Sequence, residues 1–287
     1  MKISSKIINE LKNNKFAKII NLSEFNSGKE QLMKIESKLD KNVKEYQYDP
    51  SHKIYIYTQN LLSIFSEEFS ITKEFKEYYD IVVEIDDTYM PSGPPMSPLT
   101  GSYFTFWCFC DLRFGKDNET IGTILYDLAK EYKLDELLLK SIQNLNQSYM
   151  SFYVHNGFDT DLIVLKEIVT NKEFRCICPS GYKGTKGEIW FVRIVPNIDN
   201  IYNYQIIMTT PYIIIKYKEK DWLSYYQRQS ISKENINHVE KLYQFQKNNS
   251  DNKYWHNYIM DAYVNYFNDR INLTGIPDLK GSKPHEL

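Results

Sequence analysis

Apolar residues recur at helical spacing through the first third of the chain. Ile3, Ile7, Ile8 and Leu11 form one stripe, continued by Phe16, Ile19 and Ile20. Leu32, Ile35, Leu39 and Val43 form a second. Tyr57, Leu61, Leu62, Phe65 and Phe69 form a third, and Phe75, Tyr78, Tyr79, Val82 and Val83 a fourth. Side chains three and four positions apart share a helix face, so residues 1–89 are expected to be helical. Each apolar face needs another helix or a sheet to cover it.

The pattern breaks at residues 90–101, where Pro91, Pro94, Pro95 and Pro98 stand with Gly93 and Gly101. Proline lacks an N–H and clashes with the preceding turn, so this stretch reads as a connector. Residues 102–150 read as mixed: an aromatic-rich, strand-like segment over 102–114, then helices over 119–132 and 135–146, the second with Asp135 as its N-cap. Between 151 and 217 the period falls to two. Strands are expected over 152–155, 162–169, 173–178, 188–195, 204–210 and 212–217. Asn156-Gly157 marks a turn, Thr170-Asn171-Lys172 a hairpin connection, and Pro211 a bend or an edge. Short strands at this density make a small curved antiparallel sheet or barrel. Residues 218–274 turn helical again. Trp222, Tyr225, Tyr226 and Arg228 open that part as packing residues, and Trp255, Ile259, Ala262 and Tyr266 share one face of its last helix. Residues 275–287 read as a tail. The fold class expected is α+β, with a helical N-terminal part, a small barrel in the middle and C-terminal helices packing back on it.

Within the barrel region, Leu165-Lys166-Glu167-Ile168-Val169-Thr170, Lys172-Glu173-Phe174 and Gly184-x-x-Gly187-Glu188-Ile189-Trp190-x-x-Arg193-Ile194-x-Pro196 resemble a small-barrel segment of uncharacterised bacterial proteins. The resemblance spans residues 165–196 and implies the fold of that segment. No activity and no catalytic residue come with it.

Composition narrows the partners. Hydrophobic residues make up 42% and charged residues 25% of the 287, enough for an ordinary core. The net charge of −2 supplies no global basic field for nucleic acid or anionic lipid. The 24 tyrosines, with abundant Ile, Asn and Lys, read as AT-rich codon usage rather than as an aromatic binding surface. No run of about 18 apolar residues occurs, and residues 1–14 lack a signal-peptide core. No membrane association and a reducing cytoplasm, where disulfides are rare, are therefore expected.

Five features carry candidate chemistry. Cys108 with Cys110, and Cys176 with Cys178, form two C-x-C pairs on expected strands. Residues i and i+2 of a strand lie about 6.5–7 Å apart, whereas zinc-bound sulfurs lie about 3.8 Å apart given bonds of about 2.3 Å. Four buried thiols are therefore the favoured reading, a zinc site the weaker one. Glu77, Asp80, Glu84 and Asp87 share a helix face beside Asp86; a solvated face is favoured over a metal or acid–base site built from Glu84, Asp86, Asp87 and Asp111. Arg193 sits on the apolar face of its strand and demands a carboxylate, from Glu84, Asp111 or Asp161, or an anionic ligand. The loop Gly181–Gly187 carries Lys183 and Lys186 but no P-loop pattern, and reads as a mobile hairpin loop. Tyr153, Phe158, Tyr182 and Trp190, with Lys183, Lys186 and Arg175, would suit single-stranded nucleic acid if exposed. The five histidines, His155 among them as a surface hairpin residue, show no metal spacing. No cofactor is implied. The leading expectation is a non-enzymatic protein that binds another protein, an adaptor, immunity or regulatory factor. A metal-dependent hydrolase or nuclease is the first alternative, and nucleic-acid binding through the barrel the second.

Overall fold

The computed structural model describes residues 1–13, 49–70, 72–90, 97–198, 203–230, 238–248 and 251–275. The apolar stripes expected over 16–43, the prolines at 91, 94 and 95, and the side chain of Arg228 lie outside the described residues.

The helical part begins with α1 (Ile3–Lys12), α2 (Pro50–Phe69) and α3 (Lys76–Tyr89). Their starts follow from local chemistry. Asp49 accepts the His52 N–H ahead of Pro50, which needs no intrahelical partner for its missing N–H. The first N–H groups of α1 point at the buried carboxylate of Glu119, a long-range anion at a helix N-terminus.

Residues 102–111 are helical, not the strand expected, and Phe114 forms only an isolated bridge with Glu119. Thr100 Oγ1 accepts the Tyr103 N–H at 3.2 Å and starts α4 (Gly101–Phe106). The chain then widens into π-type turns over Trp107–Asp111, where the Leu112 N–H reaches back five residues to the Trp107 carbonyl. Aromatic residues favour strands, but here Tyr103, Phe106, Trp107 and Cys110 are buried at helical spacing, and tertiary burial overrides propensity. Helices α5 (Ile121–Glu131) and α6 (Glu136–Gln147) follow. Thr120 and Thr123 form a capping box, and Asp135 caps α6 by accepting from Leu137 and Leu138.

Next come β1 (Met150–Asp159), β2 (Leu162–Glu167), β3 (Glu173–Ile177), β4 (Ile189–Pro196), β5 (Gln205–Ile207) and β6 (Tyr212–Ile214). Strands β1-β2-β3-β5-β4 close on themselves through β1–β4 pairing into a five-stranded barrel. Most ladders are antiparallel, but β3–β5 is parallel. β4 is the hub. One edge pairs with β1; along the other, β6 takes its first half and β5 its second, with the chain stepping outward around Pro211. Its side chains alternate between two cores. Trp190, Val192 and Ile194 face the barrel interior with Tyr153, Ile163, Leu165 and Cys176. Ile189, Phe191 and Val195 face the helices.

Helices α7 (Glu219–Ser230), α8 (His238–Asn248) and α9 (Tyr254–Ala262) pack back on that outer face. Phe152 of β1 stacks on Trp222 at 3.7 Å and on Phe191 at 4.4 Å, joining barrel and helices through aromatic faces. The last helix is shorter than expected. At Tyr263 the chain turns extended and forms β7 (Tyr263–Tyr266) and β8 (Ile271–Leu273), so Tyr266 belongs to a strand. β8 adds in parallel to β6, and β7 is the end strand of the sheet.

Asn156-Gly157 is a bulge within β1 rather than a turn: the register with β2 shifts between His155 and Phe158, and Gly157 takes φ +100°. The β1–β2 turn lies at Thr160 and Asp161. Among the described residues, no helix is long and apolar enough to cross a membrane.

Candidate interaction surface

The exposed end of the barrel is built by two segments far apart in sequence, the Gly-rich loop before β4 and the β7–β8 hairpin. The loop is pinned. His155, fully buried rather than on the surface, accepts the Gly157 N–H through Nδ1 and so carries its proton on Nε2, which donates to the Lys183 carbonyl at 3.0 Å. Glu188 collects Tyr182 Oη, Thr185 Oγ1 and Trp190 Nε1. Gly184 adopts φ +66°, and a Cβ there would stand 2.5 Å from the Trp190 ring. Burial and the neighbouring Glu188 carboxylate push the Tyr182 phenol up to about 12, so it stays a donor.

Ser180 Oγ donates to the Asp269 carbonyl at 2.8 Å and ties the loop to the hairpin. Arg270 lies between two rings, 4.7 Å from the Tyr182 centroid and 4.0 Å from that of Phe267. Beside this stack, Tyr263, Val264, Tyr266 and Phe267 are 38%, 41%, 52% and 37% exposed. They are consecutive apart from Asn265. The outer edge of β7 has no strand partner among the described residues, and β7 carries neither Lys nor Pro, the residues that commonly blunt such edges. A register shift at Val264 is its one irregularity. Backbone donors and acceptors along this edge, flanked by exposed rings, can pair with an extended chain.

The residues singled out in the sequence divide between surface and interior. Lys183 and Lys186 are exposed on the loop, Tyr182 is half-buried at its root, and Phe158 is 50% exposed. Tyr153 and Trp190 fill the barrel and offer no face for stacking. Arg193 is buried and held by Asp111, one of the three carboxylates its position demanded. The sequence reading lacked the third ion: Lys247 of α8 reaches the other Asp111 oxygen at 2.6 Å, and both cations also bond the Ser148 carbonyl. Burial lowers the Lys247 pKa, against the pull of Asp111.

Glu84, Asp86 and Asp87 lie exposed on α3, with Glu84 paired to Lys253, whereas Asp111 is buried with Arg193 and Lys247. Cys108 and Cys110 sit in the π-type turns of the main core, whereas Cys176 and Cys178 belong to the barrel interior. All four are free thiols, and burial raises their pKa values, to about 11 for Cys110 and Cys178. Among the described residues, no three His, Cys, Asp or Glu side chains gather closely enough to hold a metal ion. No protein-family model, curated protein or solved structure matches this chain.

Proposed function

We propose that this protein is a non-enzymatic interaction module that binds another polypeptide, in extended form, along the outer edge of β7. One observation carries the reading: an uncharged end strand displays Tyr263, Val264 and Tyr266 to solvent beside the Tyr182–Arg270–Phe267 stack. Main-chain pairing along the edge supplies affinity, and the flanking rings supply selectivity. A protein partner fits this surface better than nucleic acid, because Tyr153 and Trp190 lie inside the barrel while Arg175 and Arg270 are paired with Asp159 and Asp269. The hydrolase alternative has less support, because the α3 carboxylates do not converge with Asp111.

The test is selection of peptides from a display library against the full chain, followed by backbone amide exchange. Selected peptides should slow exchange across residues 263–267, and Val264→Lys or Tyr266→Lys should abolish selection. Protection elsewhere, or selection unchanged by either lysine, defeats the reading. Capture of single-stranded oligonucleotides with steeply salt-dependent affinity would favour nucleic acid instead.

A further inference from the structure

A second concavity lies on the side of the barrel away from β7, where the end of α6 approaches β2 and β3. It encloses about 250 Å³ and is lined by Tyr149, Tyr153, Glu167, Thr170, Lys172 and Phe174, among others. Small-molecule pockets run to roughly 300–1,000 Å³, so this cleft suits a headgroup or a side chain rather than a whole cofactor. Glu167 is its unusual member. The residue is only 2% exposed, yet it lines the cleft. Its carboxylate accepts from the Tyr149 hydroxyl at 3.0 Å and from the Thr170 hydroxyl. Among the described residues no cationic side chain pairs with it.

Buried carboxylates are normally matched by a cation or a metal, because hydroxyl donors offset only part of the lost hydration. Each oxygen here has one hydroxyl donor and capacity for another. Around it the walls are rings. Phe174, packed edge to face against the buried Tyr153 at 5.6 Å, and Tyr149, braced by Tyr243 at 5.0 Å, both line the cleft. Ring faces next to a carboxylate form the chemistry that recognises an ammonium group, through cation–π attraction and charge-assisted hydrogen bonds. The protein itself supplies an example: the Lys172 ammonium at the cleft lies 5.1 Å from the Phe174 centroid.

The geometry points to an ammonium-binding site at Glu167, flanked by Tyr149 and Phe174, with Lys172 as a built-in competitor for the ring face. The ligand's –NH₃⁺ donates to Glu167 and rests against the rings, while Lys172 swings out into solvent. This site is independent of the β7 edge and stands or falls separately.

The experiment is ligand-observed saturation-transfer NMR on the full chain at neutral pH. The probes are n-butylammonium, Nα-acetyl-lysine methylamide and the neutral analogue n-butanol. Saturable binding of n-butylammonium is expected, with n-butanol at least tenfold weaker. If the lysine derivative binds as well, the natural ligand is a polypeptide side chain; if only n-butylammonium binds, it is a free amine. Glu167→Gln keeps the shape and one hydroxyl donor, makes the other hydroxyl an acceptor, and should weaken binding at least tenfold. Lys172→Met leaves the carboxylate untouched and should strengthen binding about threefold. Absence of binding by either amine, equal binding of n-butanol, or an undiminished signal in folded Glu167→Gln overturns the assignment. Should Glu167→Gln lose its native circular dichroism, Lys172→Met decides alone, and unchanged or weaker binding there overturns it.

Discussion

Asp111 and Arg193 meet across 82 residues of chain, one at the end of a π-type turn and the other at the centre of the barrel's hub strand. The contact fixes the helical part against the barrel. Lys247 completes it from α8, so three parts of the chain converge on a single carboxylate. Two cations and one anion are buried together, and the Ser148 carbonyl and hydroxyl take up further donors of Arg193 and Lys247, while Arg193 Nε has no partner among the described residues.

Asp111→Asn should therefore be among the most destabilising conservative changes in the protein. It leaves Arg193 and Lys247 buried without a counter-charge, at a cost of about 3–5 kcal/mol. Urea unfolding followed by far-UV circular dichroism measures it. Glu84→Ala, at the exposed pair with Lys253, should leave the midpoint unchanged.

His256 predicts an acid limb of stability. Its ring is fully buried among Tyr89, Tyr103, Phe104 and Trp107, neither nitrogen has a hydrogen-bond partner in the described structure, and burial lowers its pKa to about 3. The folded pKa lies below the unfolded value near 6.5, so between those values the unfolded chain binds a proton that the folded one does not. Stability falls as pH drops through that window, at roughly 1.4 kcal/mol per pH unit from this group. His256→Phe should flatten the slope by one proton between pH 6 and 4, measured by urea midpoints across pH. A slope unchanged by the substitution would contradict this account.

Gly184→Ala should loosen the loop over the barrel mouth. The left-handed backbone disfavours any side chain there, and the added Cβ would collide with Trp190 and Glu188. A loss of about 1–3 kcal/mol is expected, with faster amide exchange over residues 178–188.

Thiol reactivity tests the two separate cores. With burial raising every thiol, native protein at pH 8 should react with Ellman's reagent far more slowly than denatured protein, in which all four cysteines titrate promptly. A fast-reacting Cys108 or Cys176 would place that side chain elsewhere.

How far these features were legible depends on whether a local pattern had one physical solution. Helices α1 to α3 and α5 to α6 were readable, because their stripes and caps permit little else. So was the need of Arg193 for a carboxylate, since a guanidinium on an apolar strand face has few options. Residues 102–111 were not, because dense aromatics suit a strand and a buried helix alike. Asn156-Gly157 announced a positive φ, which a bulge meets as well as a turn does. Tyr266 follows Ala262 at helical spacing, so nothing local marks where α9 gives way to β7. The edge surface and the cleft at Glu167 both depend on strand register, which places Tyr149, Glu167 and Phe174 side by side only after the barrel closes.

The placement of Lys247 also bears on how the molecule is made. All five barrel strands lie between Met150 and Ile207, so a nascent chain can close the barrel while α8 is still inside the ribosome. During that interval Asp111 and Arg193 would lack the third ion of the folded cluster. Vectorial synthesis would then proceed in two stages, and arrival of the late lysine would seal helices and barrel into one body.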